Sequence, residues 1–452
     1  MQITRRQVLR LCGAAPFSRA RAAGRPNVVL ILADDMGYGD LSSYGCPDIR
    51  TPNIDSIGAK GVRLTKYYTN APDCSPTRTA TLTGRYQARV GGLECAIGVG
   101  NVGRYDDAEW LAKQGELGLP VSETSMARIF KNAGYDTACF GKWHLGYADK
   151  FSPNRHGFDE YFGILGGNAD YFTHREEDGT NVLYRNGKPV EAKGYTTDLI
   201  AEEAVSWLAR KRSKPFFLYV PFTSPHTPIQ DPDGYDPKTG AAPVRQGHRP
   251  TYAKMIERLD RRVGDILSQL DRMGAAGETL VIFSSDNGGD PNGRNDPWRG
   301  KKGSLWEGGI RVPCMMRWPG RIPGGKTIDQ VAVSMDLLPT MLAATGIAAP
   351  SGRPLDGVNL LPVLEGLKPN YPRTLFWRAK RGTRVRKAVR VGDLKLVIDE
   401  GEELHDLAKD ELEQRNLLPT AEMIAKGLRA KLAAWEQEVM APRLRPFRSA
   451  PG

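Results

Sequence analysis

The segment Asp73–Gly84 reads D-C-S-P-T-R-T-A-T-L-T-G. Pro76 suits the first turn of a helix and Gly84 suits its end, so the segment is predicted to be a helix of two turns. Cys74 would stand at the helix N-terminus, where free N–H groups and the positive end of the dipole attract an anion. Arg78 lies four residues later on the same face, with a guanidinium suited to a tetrahedral oxyanion. One interpretation is a nucleophile beside an anion site; the other is a buried cysteine on an ordinary surface helix.

Apolar runs on both sides of this helix predict strands that are buried on both faces, because they are continuous and rich in branched residues. These runs are Asn27–Ala33, Pro215–Thr223 and Thr279–Ser285. Gly141–Leu145 is also predicted to be extended, which would place Lys142 and His144 on one face, since side chains alternate along a strand. For this pair the alternative is a surface lysine near a core histidine.

Polar side chains follow each of the three apolar strands. Asp34 and Asp35 come after the first, His226 after the second, and Asp286 and Asn287 after the third. Ligands of an open α/β sheet bind outside the carboxyl ends of its strands, so these groups are expected to meet at one edge, beside the Cys74 helix. The alternatives are an exposed acidic turn and a hydrogen-bonded loop histidine.

The oxygen atoms of these residues predict a metal site. Asp34, Asp35, Asp286 and Asn287 together offer only oxygen ligands, which favours Ca²⁺ or Mg²⁺ over zinc or copper. A thiol is a poor partner for such a hard cation, which suggests that Cys74 does not remain a thiol.

Several segments resemble the type I sulfatases of the alkaline phosphatase superfamily. C-x-P-x-R followed by T-L-T-G-R resembles the signature in which the cysteine, here Cys74, is oxidised to formylglycine. G-K-W-H-L-G resembles a second signature and aligns Lys142 and His144 with its functional positions. K-G-S-L-W-E-G-G aligns Lys302, and S-P-H-T-P aligns His226.

The resemblance implies a role for each matched residue. The hydrated aldehyde derived from Cys74 would be both nucleophile and metal ligand, beside Ca²⁺ or Mg²⁺. Arg78, Lys142 and Lys302 would neutralise charge on the sulfate and the diol. His226, or Lys302 beside it, would protonate the leaving alcohol, and His144 would help to remove the proton of the second hydroxyl.

The resemblance also implies an α/β fold like that of alkaline phosphatase. A large mixed sheet flanked by helices would form the catalytic domain, residues 24–372. A smaller C-terminal domain, residues 373–452, would contain an antiparallel sheet and a helix. The boundary falls in the Pro- and Gly-rich passage from Ala348 to Arg373.

The N-terminus predicts export. Paired Arg5 and Arg6, a short apolar stretch and an A-x-A site within residues 1–23 are typical of a twin-arginine signal peptide. The alternative is a basic, disordered tail. A periplasmic or secreted location follows, with the twin-arginine export machinery and a formylglycine-generating enzyme as partners. No transmembrane segment is expected, because no run of about 18 apolar residues occurs.

The net charge of +11 indicates an acidic partner. Nucleic acid is disfavoured, since no zinc-finger spacing or RNP-type motif occurs. We therefore expect a sulfuric ester hydrolase acting on a sulfated sugar or polysaccharide fragment, or on an aryl sulfate. The rivals are a phosphatase or phosphonate monoester hydrolase of the same superfamily, and an inactive exported glycan-binding protein.

Four further predictions concern local structure. Ser122–Ala133 is predicted to be a helix with Ser122 as N-cap, and Gln87–Leu117 to be loop-like. Ala421–Val439 is predicted to be a final helix that packs through Ile424, Leu428, Leu432 and Trp435. The six cysteines contain no C-x-x-C pair, and Cys12 lies in the predicted signal peptide. The remaining structural cysteines are either reduced and buried or include one disulfide.

Overall fold

The computed structural model describes residues 24–235, 244–245 and 247–440. The predicted signal peptide, with Arg5, Arg6 and Cys12, lies outside these residues. The cysteines that are described, Cys46, Cys74, Cys95, Cys139 and Cys314, are all free. No helix in the described ranges combines the length and the apolar character that crossing a membrane requires.

The β-strands form the centre of the molecule. They are β1 Asn27–Ala33, β2 Val62–Leu64, β3 Tyr67–Tyr68, β4 Asp136–Phe140, β5 Glu160–Ile164, β6 Leu183–Arg185, β7 Lys188–Pro189, β8 Phe216–Pro221, β9 Thr279–Ser285, β10 Cys314–Arg317, β11 Lys326–Ile328, β12 Ala332–Val333, β13 Thr374–Arg381, β14 Arg384–Val391, β15 Leu394–Ile398 and β16 Glu402–Asp406.

Helices pack around these strands. They are α1 Pro52–Ala59, α2 Cys74–Thr83, α3 Asp106–Lys113, α4 Met126–Asn132, α5 Thr196–Leu208, α6 Arg249–Arg272, α7 Glu307–Ile310, α8 Leu337–Thr345, α9 Leu361–Leu364 and α10 Glu422–Glu438.

Among the described residues, ten strands form one mixed sheet in the order β11-β2-β10-β9-β1-β8-β4-β5-β6-β7. Its centre, β9-β1-β8-β4-β5, is parallel, and β10 and β6 flank it antiparallel. Apart from half-buried Asn27, strand β1 is buried along its length, as its apolar run predicts. The carboxyl ends of β1, β4, β8 and β9 therefore lie at the same edge.

A second, antiparallel sheet of β13-β14-β15-β16 follows in the C-terminal part of the chain. Helix α10 packs on it, and a shared apolar cluster joins its residues to side chains of the large body, such as Tyr68 and Leu305. The predicted fold class, a large mixed α/β sheet with helices plus a C-terminal antiparallel sheet with a helix, is confirmed.

Three local predictions are wrong. Helix α4 begins at Met126, and its N-cap is Ser125, whose hydroxyl accepts from Arg128 N at 3.2 Å, rather than Ser122. The segment predicted to be loop-like, 87–117, contains helix α3. In α10, Ile424 is 45% exposed and Ala425 faces the sheet instead, while Leu428, Leu432 and Trp435 are buried as predicted.

Candidate functional site

Helix α2 places Cys74 at the edge where the central strands end. Asp73 is the N-cap and accepts from the Cys74 N–H at 3.1 Å, and Gly84 ends the helix with φ +66°. The Cys74 side chain is 1% exposed. Its Sγ lies 3.5 Å from Asp34 Oδ1 and 4.0 Å from Asp35 Oδ1, so the helix and the end of β1 form one site.

The two carboxylates after β1 are held by lysines from distant parts of the chain. Lys142 Nζ donates to Asp34 Oδ2 at 2.6 Å, and Lys302 Nζ donates to Asp35 Oδ2 at 2.7 Å. His226 Nε2 lies 3.5 Å from the same oxygen of Asp35. Residues from three separate segments thus lie within 3.5 Å of two adjacent carboxylates.

Arg78 is fully buried and binds the carboxylate that follows β9. Its Nε and Nη2 donate to Asp286 Oδ2 at 3.0 and 2.8 Å, and Nη2 lies 3.4 Å from Asp34 Oδ1. Nη1 donates to the Lys142 carbonyl at 3.0 Å. The guanidinium therefore orients two of the carboxylates and offsets the cost of burying their charge.

Asn287 has a buried oxygen with no partner. Its Nδ2 donates to Asp35 Oδ1 at 2.8 Å and to the Gly288 carbonyl at 2.9 Å. Its Oδ1 has no hydrogen-bond partner in the described part of the chain. Because an unpaired buried oxygen is costly, this atom requires a further partner.

A divalent cation fits that requirement. Donor atoms of Asp34, Asp35, Cys74 and His226 all lie within 4.8 Å of one another. With the Asn287 amide beside them, its Nδ2 2.8 Å from Asp35 Oδ1, the carboxylates offer the hard oxygen donors that Ca²⁺ and Mg²⁺ prefer. The residues present are therefore able to hold such an ion.

The segment that carries Lys142 and His144 is not extended, and the prediction that it is was wrong. Strand β4 ends at Phe140, and Gly141 and His144 have φ values of +137° and +56°. A Cβ on Gly141 would lie 1.9 Å from the Pro221 carbonyl oxygen, so only glycine fits this close crossing. Both side chains nevertheless reach the site, His144 with its Nε2 2.8 Å from the Ile97 carbonyl oxygen.

A cavity of about 380 Å³ opens above these groups. Cys74, His144, His226 and Lys302 contribute to its lining. Its remaining walls come from loops outside the strand ends, including Asn168 and Glu177. A volume of this size accommodates a ligand larger than a sulfate ion.

Comparison with known proteins agrees with this geometry. The family model described as "Sulfatase" matches residues 26–347. This chain belongs to the sulfatase family. The model "N-sulphoglucosamine sulphohydrolase, C-terminal" matches residues 298–438.

Relatives and solved structures support the same assignment. N-acetylgalactosamine-6-sulfatase of Homo sapiens is 35% identical over 359 residues, covering 75% of this chain and 66% of the human one. Steryl-sulfatase of Mus musculus is 32% identical over 438 residues, with coverages of 79% and 68%. The crystal structure of Ps i-CgsB matches with a TM-score of 0.82 and 29% identity over 93% of this chain and 94% of that one. The sulfatase described here is accordingly a sulfuric ester hydrolase.

Burial sets the protonation of the groups around Cys74 in this sulfatase. Burial raises the pKa of the Cys74 thiol well above its usual value, so an unmodified cysteine would be a neutral, weak nucleophile. Burial also lowers the pKa of His226 to about 3. For Lys302 burial acts in the same downward direction, but the neighbouring acidic groups, of which Asp35 acts most strongly, together outweigh it. The pKa of Lys302 is therefore raised, which keeps the ammonium charged.

Some residues at the sulfatase site were not predicted from the sequence. Asp73 is both the N-cap of α2 and, through Oδ2, an acceptor for the Ala96 N–H at 3.0 Å; an Asp before a helix with Pro76 in its first turn was a detectable capping signal. The Tyr171 hydroxyl donates to the carbonyls of Thr223 and His226 at 2.8 and 2.9 Å, which fixes the loop after β8. Nothing in the local sequence indicates that contact.

Proposed function

We propose that this sulfatase removes sulfate from a sulfated carbohydrate by means of a formylglycine derived from Cys74 and a bound divalent cation, Ca²⁺ or, as an alternative, Mg²⁺. The observation that carries the proposal is the position of the buried Cys74 beside Asp34 and Asp35. A thiol is poorly suited to that oxygen-rich site, whereas the oxygens of a hydrated aldehyde suit it well.

The metal ligands in this proposal are Asp34, Asp35, Asp286, Asn287 and the modified Cys74. When bound, the cation would polarise the sulfate, and the hydrated aldehyde would supply the oxygen that attacks sulfur. The partnerless Oδ1 of Asn287 supports this assignment.

The positive groups of the site bind and orient the sulfate. Lys142 pairs with Asp34, and Lys302 pairs with Asp35. Both lysines would neutralise charge that develops on the transferring group. Arg78 acts through Asp286, whose carboxylate it holds in place. Because these groups are already positioned, little reorganisation accompanies the reaction.

Cleavage of the sulfur–oxygen ester bond leaves an alkoxide that needs a proton. Nδ1 of His226 lies 2.7 Å from the Thr227 carbonyl and carries a hydrogen there, so His226 donates from Nε2 only after gaining a second proton. Lys302 carries donor hydrogens in its ordinary charged state and is the readier acid. The sulfate is then carried on one oxygen of the former diol. The Nδ1 of His144, which has no hydrogen-bond partner among the described residues, would accept the proton of the second hydroxyl. The aldehyde C=O would re-form as the carbon–oxygen bond to the sulfate breaks and sulfate leaves.

Mass spectrometry of the peptide containing Cys74 tests the modification, and sulfate release tests the reaction. We expect an aldehyde at Cys74, and a loss of about 10³-fold or more in sulfate release on Cys74→Ala. Full activity of an unconverted protein would disprove the proposal. Faster turnover of an aryl phosphate than of the matched aryl sulfate would favour the phosphatase rival. Glycan affinity that survives Cys74→Ala, with no sulfate released by the wild type, would favour the binding protein.

The maturation route is part of the same proposal. The twin-arginine signal within residues 1–23, the export machinery, the formylglycine-generating enzyme and a periplasmic or secreted location rest on the sequence motifs alone. The division into a catalytic domain of residues 24–372 and a C-terminal domain of residues 373–452 is supported by the start of β13 at Thr374.

A further inference from the structure

A basic run in the C-terminal sheet reaches the cavity above Cys74. The run, residues 378–387, forms the β13–β14 hairpin, and most of its cations are held in ion pairs. The pairs are Arg378 with Glu94 and Glu436, Lys380 with Glu94 and Asp107, Arg384 with Asp399 and Glu400, Arg386 with Asp399, and Lys387 with Glu436. Arg381 differs from these: it is exposed, lines the cavity and makes no ion pair with any described residue.

A second arginine stands beside it. Arg104 also lines the cavity, is half-buried, and has no ion-pair partner within the described ranges. The backbone fixes the two segments together, because Gly382 N donates to the Arg104 carbonyl at 2.7 Å and Lys380 N to the Glu94 carbonyl at 3.1 Å. Arg381 therefore sits between two hydrogen bonds that tie its hairpin to the loop carrying Arg104.

The thiol of Cys95 lies close enough to Arg104 and Arg381 to be affected by both positive charges. Burial raises the pKa of Cys95, and the guanidinium groups of Arg381 and Arg104 act in the opposite direction. The two positive charges thus share one side of the cavity. Three other lining residues, Asp73, Glu177 and Asp290, carry carboxyl groups that would repel an anion. Of these, Asp73 lies near Cys95, and its carboxylate already accepts from the N–H groups of Cys74 and Ala96.

We propose that Arg104 and Arg381 bind a second anionic group of the substrate, a sulfate or a carboxylate on the same oligosaccharide as the sulfate that is removed. This inference rests on the proposed function and specifies its substrate as a multiply charged sugar. A guanidinium binds either group through two parallel hydrogen bonds, and neither arginine needs to break an existing ion pair to do so. The carboxylates elsewhere in the cavity would discriminate against the reversed orientation.

The test compares two substrates that differ in one charge. An oligosaccharide with one sulfate and the same oligosaccharide with a second sulfate are hydrolysed by the wild type, Arg381→Gln and Arg104→Gln; a third compound carries a uronate carboxylate in place of the second sulfate. We expect the wild type to prefer a doubly charged substrate in kcat/KM, and each variant to lose about tenfold of that preference, which is the scale of one charge-assisted hydrogen bond. The compound that shows the preference identifies the anion as sulfate or carboxylate.

The matched control is Arg384→Gln, which removes a cation from the same hairpin but one that is paired with Asp399. It should leave the preference unchanged. An unchanged preference in Arg381→Gln and Arg104→Gln, or an equal loss on all substrates, would overturn the inference.

A binding measurement separates this inference from the proposed function. Calorimetric titration of the doubly charged oligosaccharide into Cys74→Ala protein needs no turnover, and we expect Cys74→Ala/Arg381→Gln to bind it about tenfold more weakly. A tenfold loss of affinity alongside a wild type that releases no sulfate would retain the anion site and reject the hydrolase mechanism. Equal affinities would reject the anion site.

Discussion

At the scale of single residues, the site combines side chains whose charges and hydrogen bonds are nearly all matched. Arg78 forms an ion pair with Asp286, Lys142 with Asp34, and Lys302 with Asp35. The first two of these ion pairs are fully buried, and in the third the Lys302 side chain is 18% exposed. Removing one partner of a buried pair leaves an uncompensated charge. Against this background the Asn287 Oδ1, which has no partner in the described part of the chain, is the residue-level observation that supports the proposed cation.

Replacing Asn287 by Ala should weaken Ca²⁺ binding about 10- to 100-fold, because a ligand oxygen is lost and Asp35 also loses its amide donor. The measurement is the dependence of Tm on Ca²⁺ concentration, since an ion that binds only the folded state raises Tm by mass action. Asn53→Ala is the control: Asn53 donates to Asp260 at 2.7 Å, in a different contact between α1 and α6. The control should lower Tm without changing the Ca²⁺ midpoint, and an unchanged midpoint for Asn287→Ala would show that Asn287 is not a ligand.

Site residues that come directly after a strand were predicted from the sequence. Residues that are brought together by loops were not. Asp34 and Asp286 could be placed together because parallel strands end at one edge of a sheet. Arg104 and Arg381 could not, because their proximity depends on how a hairpin of the second sheet docks on a loop of the first. No periodicity or spacing in either segment encodes that contact.

At the scale of secondary structure, α2 depends on the residue that ends it. Gly84 adopts φ +66°, and a Cβ there would lie 3.0 Å from Leu338 Cδ2 and 3.1 Å from Leu355 Cδ2. Gly346 ends α8 with nearly the same angle, φ +65°, but a Cβ there would meet nothing within 4 Å. The two glycines therefore separate the cost of the left-handed backbone from the cost of crowding.

We expect Gly346→Ala to lower the free energy of unfolding by about 1–2 kcal/mol, the cost of a left-handed alanine. Gly84→Ala should lower it by about 1–3 kcal/mol more, because the added methyl group also overpacks two leucines. Urea unfolding of both variants measures the difference. Equal losses would mean that the leucines move aside without cost.

Elements with a strong hydrophobic pattern in the sequence were predicted, whereas an element shaped by tertiary contacts was not. Strands β1 and β9 were predicted with the bounds that the structure shows, because their apolar runs are continuous and rich in branched residues. The turn at Gly141–His144 was missed because its backbone angles follow from a close crossing with the end of β8, a tertiary contact. In α10 the predicted stripe was right at three positions and wrong at Ile424, where the first turn presents Ala425 to the sheet.

At the scale of the whole molecule, a buried ionic cluster joins the C-terminal sheet to the body. Lys395 Nζ on β15 donates to Glu307 Oε1 at 2.9 Å and to Glu413 Oε1 at 2.8 Å, and all three side chains are fully buried. Glu307 also pairs with Arg311 at 3.3 Å and lies five residues after Lys302. The C-terminal sheet thus holds the segment that supplies a lysine to the site.

Lys395→Met should lower the free energy of unfolding by about 3–5 kcal/mol, because two carboxylates lose their buried counter-charge. It should also reduce kcat, since the segment that positions Lys302 loses its anchor. Calorimetry and steady-state kinetics measure the two effects. Lys150→Met is the control, because Lys150 and Glu116 form an exposed pair, 47% and 50% accessible, and its loss should change stability by less than about 1 kcal/mol. A stability loss as small as the control's would show that the cluster does not join the two parts energetically.

The burial of Cys74 has a consequence for the order of events in the cell. A thiol that is 1% exposed beneath the completed sheet edge is out of reach of another enzyme's catalytic centre. In the maturation route proposed above, the oxidation of Cys74 would therefore take place on the nascent or still unfolded polypeptide, in competition with folding. A molecule that folds first would keep an unmodified cysteine at position 74. The ratio of the rate of oxidation to the rate of folding would therefore determine the fraction of molecules that is active.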